Sequence, residues 1–175
     1  MAGGIAYLGN EDPTEINGPI ILVHSSVIQN VMASIGEAEY AAAFYTAQMA
    51  SGLRKTLSDL GYPHQPPTYI LVDNEVASGI ANNTIEPKRT KSIDRQFHWL
   101  RDRVQLKEFI VIWRKGIYNL AEFFTKPLSV KDHQSVMHLL VRVPTSSPAL
   151  HSKRVGVNLN NLYDCIITLF LVGIT

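Results

Sequence analysis

The chain has 175 residues, 46% of them apolar and 18% charged, a composition that suits one globular domain with a real core. A formal net charge of +1 gives no general attraction to a polyanion, so any contact with nucleic acid has to come from a local basic stripe. The single cysteine, Cys165, excludes an internal disulfide framework and a thiolate zinc cage, and fits a cytoplasmic or nuclear setting.

The first residues, Met1-Ala-Gly-Gly, lack the basic start and long apolar core of a secretory signal. Two β-prone segments follow, residues 4–8 and 19–34, separated by polar turn residues that include Asn17-Gly18, which predicts an antiparallel pair. Ser34-Ile-Gly-Glu37 is a capping-box pattern. Ala43, Ala47, Ala50, Leu53, Leu57 and Leu60 continue it as a helical stripe until Gly61 and Pro63, predicting one long helix over 35–60. Tyr69-Ile-Leu-Val72 is an unbroken apolar run, as in a strand buried on both faces, and it ends in Asp73-Asn74. A short helix is expected over 75–81, then a loop over 82–90, then a helix with Ile93, Phe97, Leu100 and Val104 on its apolar side. Phe109-Ile-Val-Ile-Trp113 reads as another strand. Asn119-Leu-Ala-Glu122 repeats the capping-box pattern, Pro127 limits that helix to a turn or two, and a last helix is expected over 130–141.

Beyond Val143 the punctuation fails. Pro144-Thr-Ser-Ser-Pro148 reads as a linker, so the expected division is a domain over 1–143 and a linker with tail over 144–175. The apolar run from Cys165 to the end is well short of the roughly 20 residues of a spanning helix, and no membrane span is expected. Strands and helices in this order predict an α/β mixed sheet flanked by helices. Ligands on such sheets favour the C-terminal ends of parallel strands, which directs attention to Asp73.

Two carboxylates stand out. Glu37 sits where a capping box wants it, whereas Glu39, two residues on, points to another side of the helix. For Glu39 alone the stronger explanation is an acid favoured by the helix macrodipole, and for Asp73 the plain alternative is an Asx turn. Together, a strand-end aspartate and a helix-start glutamate can share divalent cations, because hard ions take carboxylate oxygens and leave positions open for water and phosphate.

Four stretches carry a resemblance: Glu37-Ala-Glu-Tyr-Ala-Ala-Ala, Leu71-Val-Asp-Asn-Glu-Val-Ala, Arg89-Thr-Lys-Ser-Ile-Asp-Arg-Gln-Phe-His-Trp-Leu-Arg101 and Asn119-Leu-Ala-Glu-Phe-Phe-Thr-Lys-Pro-Leu128. In order and spacing they resemble the ribonuclease H domain of copia-type (Ty1/copia) LTR retrotransposon polyproteins, over residues 3–140. The resemblance implies a ribonuclease H-like fold with a five-stranded mixed sheet, and four carboxylates holding two Mg²⁺ (or Mn²⁺). It also implies two-metal hydrolysis of the RNA strand of an RNA–DNA hybrid, beside a reverse transcriptase portion of the same polyprotein. By the family's pattern the second acid falls on Glu39 and the third on Asp73. The fourth, an aspartate in the family, is Glu122 here, which either ligates or caps. The first lies on a central strand ahead of Gly3-Gly4 that this chain lacks, so impaired catalysis is expected, and a catalytically inactive nucleic-acid-binding remnant or a pseudogene product is the alternative. Neighbours of the missing strand would be left with unpaired N–H and C=O groups. The run 166–174 is apolar and β-rich enough to replace it, and in that case Asp164 enters the sheet region. A read-through tail explains the run more simply and is the expectation.

The densest basic stretch is Lys88, Arg89, Lys91, Arg95, Arg101 and Arg103, interleaved with Phe97, His98 and Trp99. Lys88, Arg89 and Lys91, in the loop before the helix, are the expected phosphate contacts. Arg101 and Arg103 read as a solvated helix face, His98 as a packed histidine and Trp113 as strand core. Ser34 can offer a hydroxyl to a phosphate, although its capping role already explains it.

Overall fold

The computed structural model describes residues 1–9, 20–28, 34–62, 66–86, 94–116, 119–140 and 166–172. The elements are β1 (Ala2–Gly9), β2 (Ile20–Ser26), α1 (Ile35–Asp59), β3 (Thr68–Val72), α2 (Glu75–Ala81), α3 (Asp94–Gln105), β4 (Phe109–Trp113), a short 3-10 helix (Leu120–Phe124), α4 (Val130–Leu140) and β5 (Ile166–Val172). The fold is α/β, with one mixed five-stranded sheet in the order β2-β1-β5-β3-β4.

β1 and β2 form the expected antiparallel pair, with an irregularity where Ala6 faces Leu22 and Tyr7 faces Ile20. β2 is shorter than its β-prone segment and alternates between half-buried and exposed residues, the pattern of an edge strand with one wet face. β3 and β4 run parallel, joined by α2 and α3. That crossover is what a parallel pair requires, since no tight turn can reverse the chain twice.

The sheet carries a core on each face. On one, Ile70 and Val72 meet Tyr40, Ala43, Ala47 and Ala50 of α1, Ala77, Ile80 and Ala81 of α2 and Leu100 of α3. The alanine stripe of α1 allows close approach of helix to sheet. On the other face Leu71 packs with Ile5, Tyr7 and Ala121, edged by Leu120, Phe124 and Leu140. β3 is therefore buried on both sides, which accounts for its unbroken apolar run; each such aliphatic side chain contributes about 1.5–3 kcal/mol by leaving water. α1 stops where Gly61 takes φ +87, a conformation glycine adopts without steric cost.

The centre of the sheet departs from the expectation. Ile166–Val172 is the central strand, antiparallel to β1 from Gly3↔Val172 to Gly9↔Ile166 and parallel to β3 from Tyr69↔Thr168 to Leu71↔Phe170. The physical reason is the pair of edges that β1 and β3 present to each other's side. A strand between them satisfies both rows of N–H and C=O groups at once, and this run, without charge or proline, is free to do so. The central place that the resemblance leaves vacant is thus filled from the far end of the chain. Residue 164 lies outside the described residues, as do 144–148.

Candidate carboxylate site

Three turns of chain meet at the C-terminal end of β3. The first is the start of α1, where Ser34 is the N-cap and its hydroxyl accepts from the Glu37 N–H at 3.2 Å. The capping reading of Ser34 is borne out. Glu37 and Glu39 are both buried, at 8% and 6% exposure, in a turn pressed onto its neighbour: a Cβ at Gly36 would stand 3.0 Å from Val76 Cγ1. A helix-start acid serving only the macrodipole has no need of burial, so Glu39 is held there against a desolvation cost. Its Oε2 accepts no hydrogen bond, and its charge reaches the Lys126 ammonium.

The second turn is Asp73-Asn74. Asn74, not Asp73, caps α2, its Oδ1 accepting from the N–H groups of Val76 at 2.9 Å and Ala77 at 3.2 Å. The Asx-turn explanation for Asp73 therefore fails, and its carboxylate is left for other work. Asp73 Oδ2 accepts from Asn119 Nδ2 at 3.2 Å, and the loop after β4 lies so close that a Cβ at Gly116 would be 3.3 Å from the same oxygen. Burial pushes the Asp73 carboxyl above its ordinary pKa; the Asn119 bond and the Lys126 charge pull it down, and the Glu122 charge pushes it up.

The third turn is the 3-10 helix. Asn119 caps it through Oδ1, which accepts from Ala121 N–H at 3.1 Å. Glu122 does not reach back as a capping box expects, nor does it stand free to ligate. Its Oε1 pairs with Lys126 Nζ at 2.8 Å, one helical turn on, with both side chains 31% exposed. That hydrogen bond chiefly raises the lysine pKa, and the charges of Glu122, Asp73 and Glu39 raise it further against the opposing effect of burial. Lys126 is thus the cation common to all three acids singled out in the sequence.

Lys126 and Asn119 are the residues that sequence reasoning missed, although Glu122 and Lys126 stand at helical i,i+4 spacing and Asn119 at a cap position. The donor chemistry, carboxylate oxygen throughout, suits a hard divalent cation. Among the described residues, however, no three His, Cys, Asp or Glu side chains converge as a group able to hold one.

The basic loop residues Lys88, Arg89 and Lys91 lie outside the described residues. Arg101 and Arg103 are not a solvated face. Arg101 donates to the carbonyls of Ile80 at 2.9 Å and Ile85 at 3.1 Å, whereas Arg103 pairs with Glu108 at 2.8 Å and lies over the Trp99 ring. His98 is exposed rather than packed, and Trp113 is 48% exposed, its Nε1 donating to the Asp73 carbonyl. A separate cleft of about 300 Å³ between β2 and α1 is lined by His24, Ser26, Tyr45, Gln48 and Met49, with Ser26 Oγ 2.9 Å from His24 Nε2. It shares no residue with the carboxylate site.

Comparison with known proteins finds relatives among transposon polyproteins. Over 110 residues, 63% of this chain and 8% of the relative, it is 32% identical to the Retrovirus-related Pol polyprotein from transposon TNT 1-94 of Nicotiana tabacum. Over 146 residues, 82% of this chain, it is 29% identical to the polyprotein of the same description from transposon RE2 of Arabidopsis thaliana and 30% identical to that from RE1. The chain spans 8–10% of the length of these relatives. No family model and no solved structure matches it.

Proposed function

This chain is homologous to one segment of the Pol polyproteins of copia-type transposons, and from that premise we propose that the segment is a ribonuclease H-like domain acting on the RNA strand of RNA–DNA hybrids. The observation that carries the reading is the grouping of Glu39, Asp73 and Glu122 around Lys126 at the end of a doubly covered parallel strand. These are the acids that the resemblance assigns to the site. In this reading the domain is 1–143 together with the β5 segment, and it works beside a reverse transcriptase portion of the parent polyprotein. Among the described residues no helix is long and apolar enough to cross a membrane.

A divalent metal at such a site, Mg²⁺ or Mn²⁺, would supply an activated water and a counter-charge for the leaving oxygen. Asp73 and Glu39 are the residues that would hold it. Asn119 keeps the Asp73 carboxylate oriented through its 3.2 Å bond, and the buried turn of Gly36, which carries Glu39, lies against Val76 of α2. Ser34, committed to its cap, has only its remaining hydroxyl proton for a phosphate, and Lys88, Arg89 and Lys91 are the proposed backbone contacts. Because β5 contributes no acid and Glu122 is paired with Lys126, hydrolysis is expected to be weak.

The same two facts favour a second reading, a nucleic-acid-binding remnant without catalysis. Purified protein with a labelled RNA–DNA hybrid separates them. Mg²⁺-dependent cutting of the RNA strand that is lost in Glu39→Gln and Asp73→Asn supports the enzyme; salt-sensitive hybrid binding with no cutting selects the remnant.

A further inference from the structure

β2 and α1 enclose a cleft of about 300 Å³ on the flank of the sheet away from β4. Side chains two apart on a strand share a face, so His24 and Ser26 both line it, with Ser26 Oγ and His24 Nε2 sharing a hydrogen bond of 2.9 Å. The facing wall is Tyr45, Gln48 and Met49, which helical spacing brings to one side of α1. Tyr45 is half-buried, and Phe44 meets its ring edge-on at 5.4 Å between centroids. Phe44 is itself wedged edge-on against Trp99, so the Tyr45 side of the cleft is anchored in the core. Gln48 is exposed.

The lining decides what the cleft can take. It holds no acid, lysine or arginine, so a phosphate or another fully charged group would lose its water with no counter-charge to replace it. A neutral planar group is served on several sides. The Tyr45 ring offers a stacking face, the Met49 thioether a polarisable contact, and the Gln48 amide a donor and an acceptor side by side, next to the Ser26 hydroxyl and the His24 imidazole. About 300 Å³ is at the lower end for small-molecule pockets, which suits one heterocycle and excludes a duplex.

Position narrows the class of heterocycle. Ser25, Gly3 and Val172 stand abreast, and Val172 lies as far beyond Phe170 as Asp73 lies beyond Leu71, the Phe170 partner. His24 and Ser26 are therefore at the same end of the sheet as Asp73, three strand spacings away, roughly 14 Å at about 4.8 Å each. A stacked single strand covers that distance in about four nucleotides, at roughly 3.4 Å per nucleotide.

We propose that this cleft binds one unpaired nucleobase of a strand running out of the hybrid across the end of the sheet, with the base stacked on Tyr45 and its edge hydrogen-bonded by Gln48. The inference rests on the proposed reading of the chain as a hybrid-binding domain and adds to it a contact with single-stranded nucleic acid that requires neither metal nor cleavage.

The test is binding of the full chain, in the presence of a chelator, to an RNA–DNA hybrid with a single-stranded extension that is either normal or abasic, so that both probes carry the same charge. The normal extension should bind about tenfold more tightly, as the stacking of a single base provides. Tyr45→Phe should keep that gain, Gln48→Ala should reduce it and Tyr45→Ala should abolish it, with binding of the abasic probe unchanged in each. With bromouracil in the extension, ultraviolet cross-linking and peptide mass spectrometry should mark Tyr45, Met49 or His24 in the wild type. Circular dichroism melting accompanies each variant, and the cross-link together with the exposed Gln48→Ala keeps the test valid if Tyr45→Ala unfolds. Equal affinity for normal and abasic extensions, or a cross-link confined to Trp113 or another residue outside the cleft, overturns the role of the cleft while leaving hybrid binding standing. No binding of either probe overturns both.

Discussion

β3 and β5 are neighbours in the middle of the sheet and look alike in sequence, each an unbroken apolar run, yet one was legible and the other was not. β3 is framed by local chemistry: Gly61 ends the helix before it, and Asn74 caps the helix after it. β5 has one partner, β1, at the opposite end of the chain and the other, β3, in the chain's first half. Local signals announce a strand; only the presence of two open edges decides where it goes. The two strands differ again at the site, since β3 ends in a carboxylate and β5 brings none.

The largest expected effect falls on β5. Leu169 is paired with Ala6 on one side and Ile70 on the other, so Leu169→Pro removes a ladder N–H from a central strand and should cost about 3 kcal/mol or more, enough to unfold a marginal domain. A melting curve unchanged from wild type would mean that β5 does not pair there. Ile70→Ala, in the framed strand, leaves a cavity under α1 and should cost about 2–5 kcal/mol in denaturant titration. Losing the frame itself is milder: Asn74→Ala should cost about 0.5–2 kcal/mol, by removing the acceptor of two helix N–H groups.

The smallest effect is a pH dependence at the end of β3. Because burial raises the Asp73 pKa in the folded chain, the native state binds its proton more tightly than the unfolded state. In chelator-treated protein, stability is therefore highest below the ordinary Asp value and falls as pH rises through the raised one. Asp73→Asn should remove that part of the slope and melt at a higher temperature than wild type at neutral pH, whatever it does to activity. Equal slopes in the two proteins would show that the carboxylate is not held against desolvation.

Most of the frame could be read from the chain. The capping serine of α1, its alanine stripe, the doubly buried β3 and β4 all follow from periodicity and punctuation, and the structure places them within a few residues of expectation. At the site, Asp73 and Glu39 were visible because their positions were not explained by capping. Two pairings at the site, Glu122 with Lys126 and Asn119 with Asp73, were not visible for a physical reason. Glu122 was read against Asn119 in a capping box, but a 3-10 helix turns its third residue away from the cap, and the stronger partner is the ammonium one turn on. Asn119 does two jobs, capping through oxygen and holding Asp73 through nitrogen, and only the fold brings β3 and that turn together.

The claim on which the rest depends is that the sheet is closed by its last strand. Amide hydrogen exchange of the intact chain, read peptide by peptide, tests it most directly. The account predicts that the amides of Ile166–Val172 exchange as slowly as those of Thr68–Val72, because each is paired on both sides and opens only with the whole sheet. Complete exchange of Ile166–Val172 within seconds, while Thr68–Val72 stays protected, would contradict it.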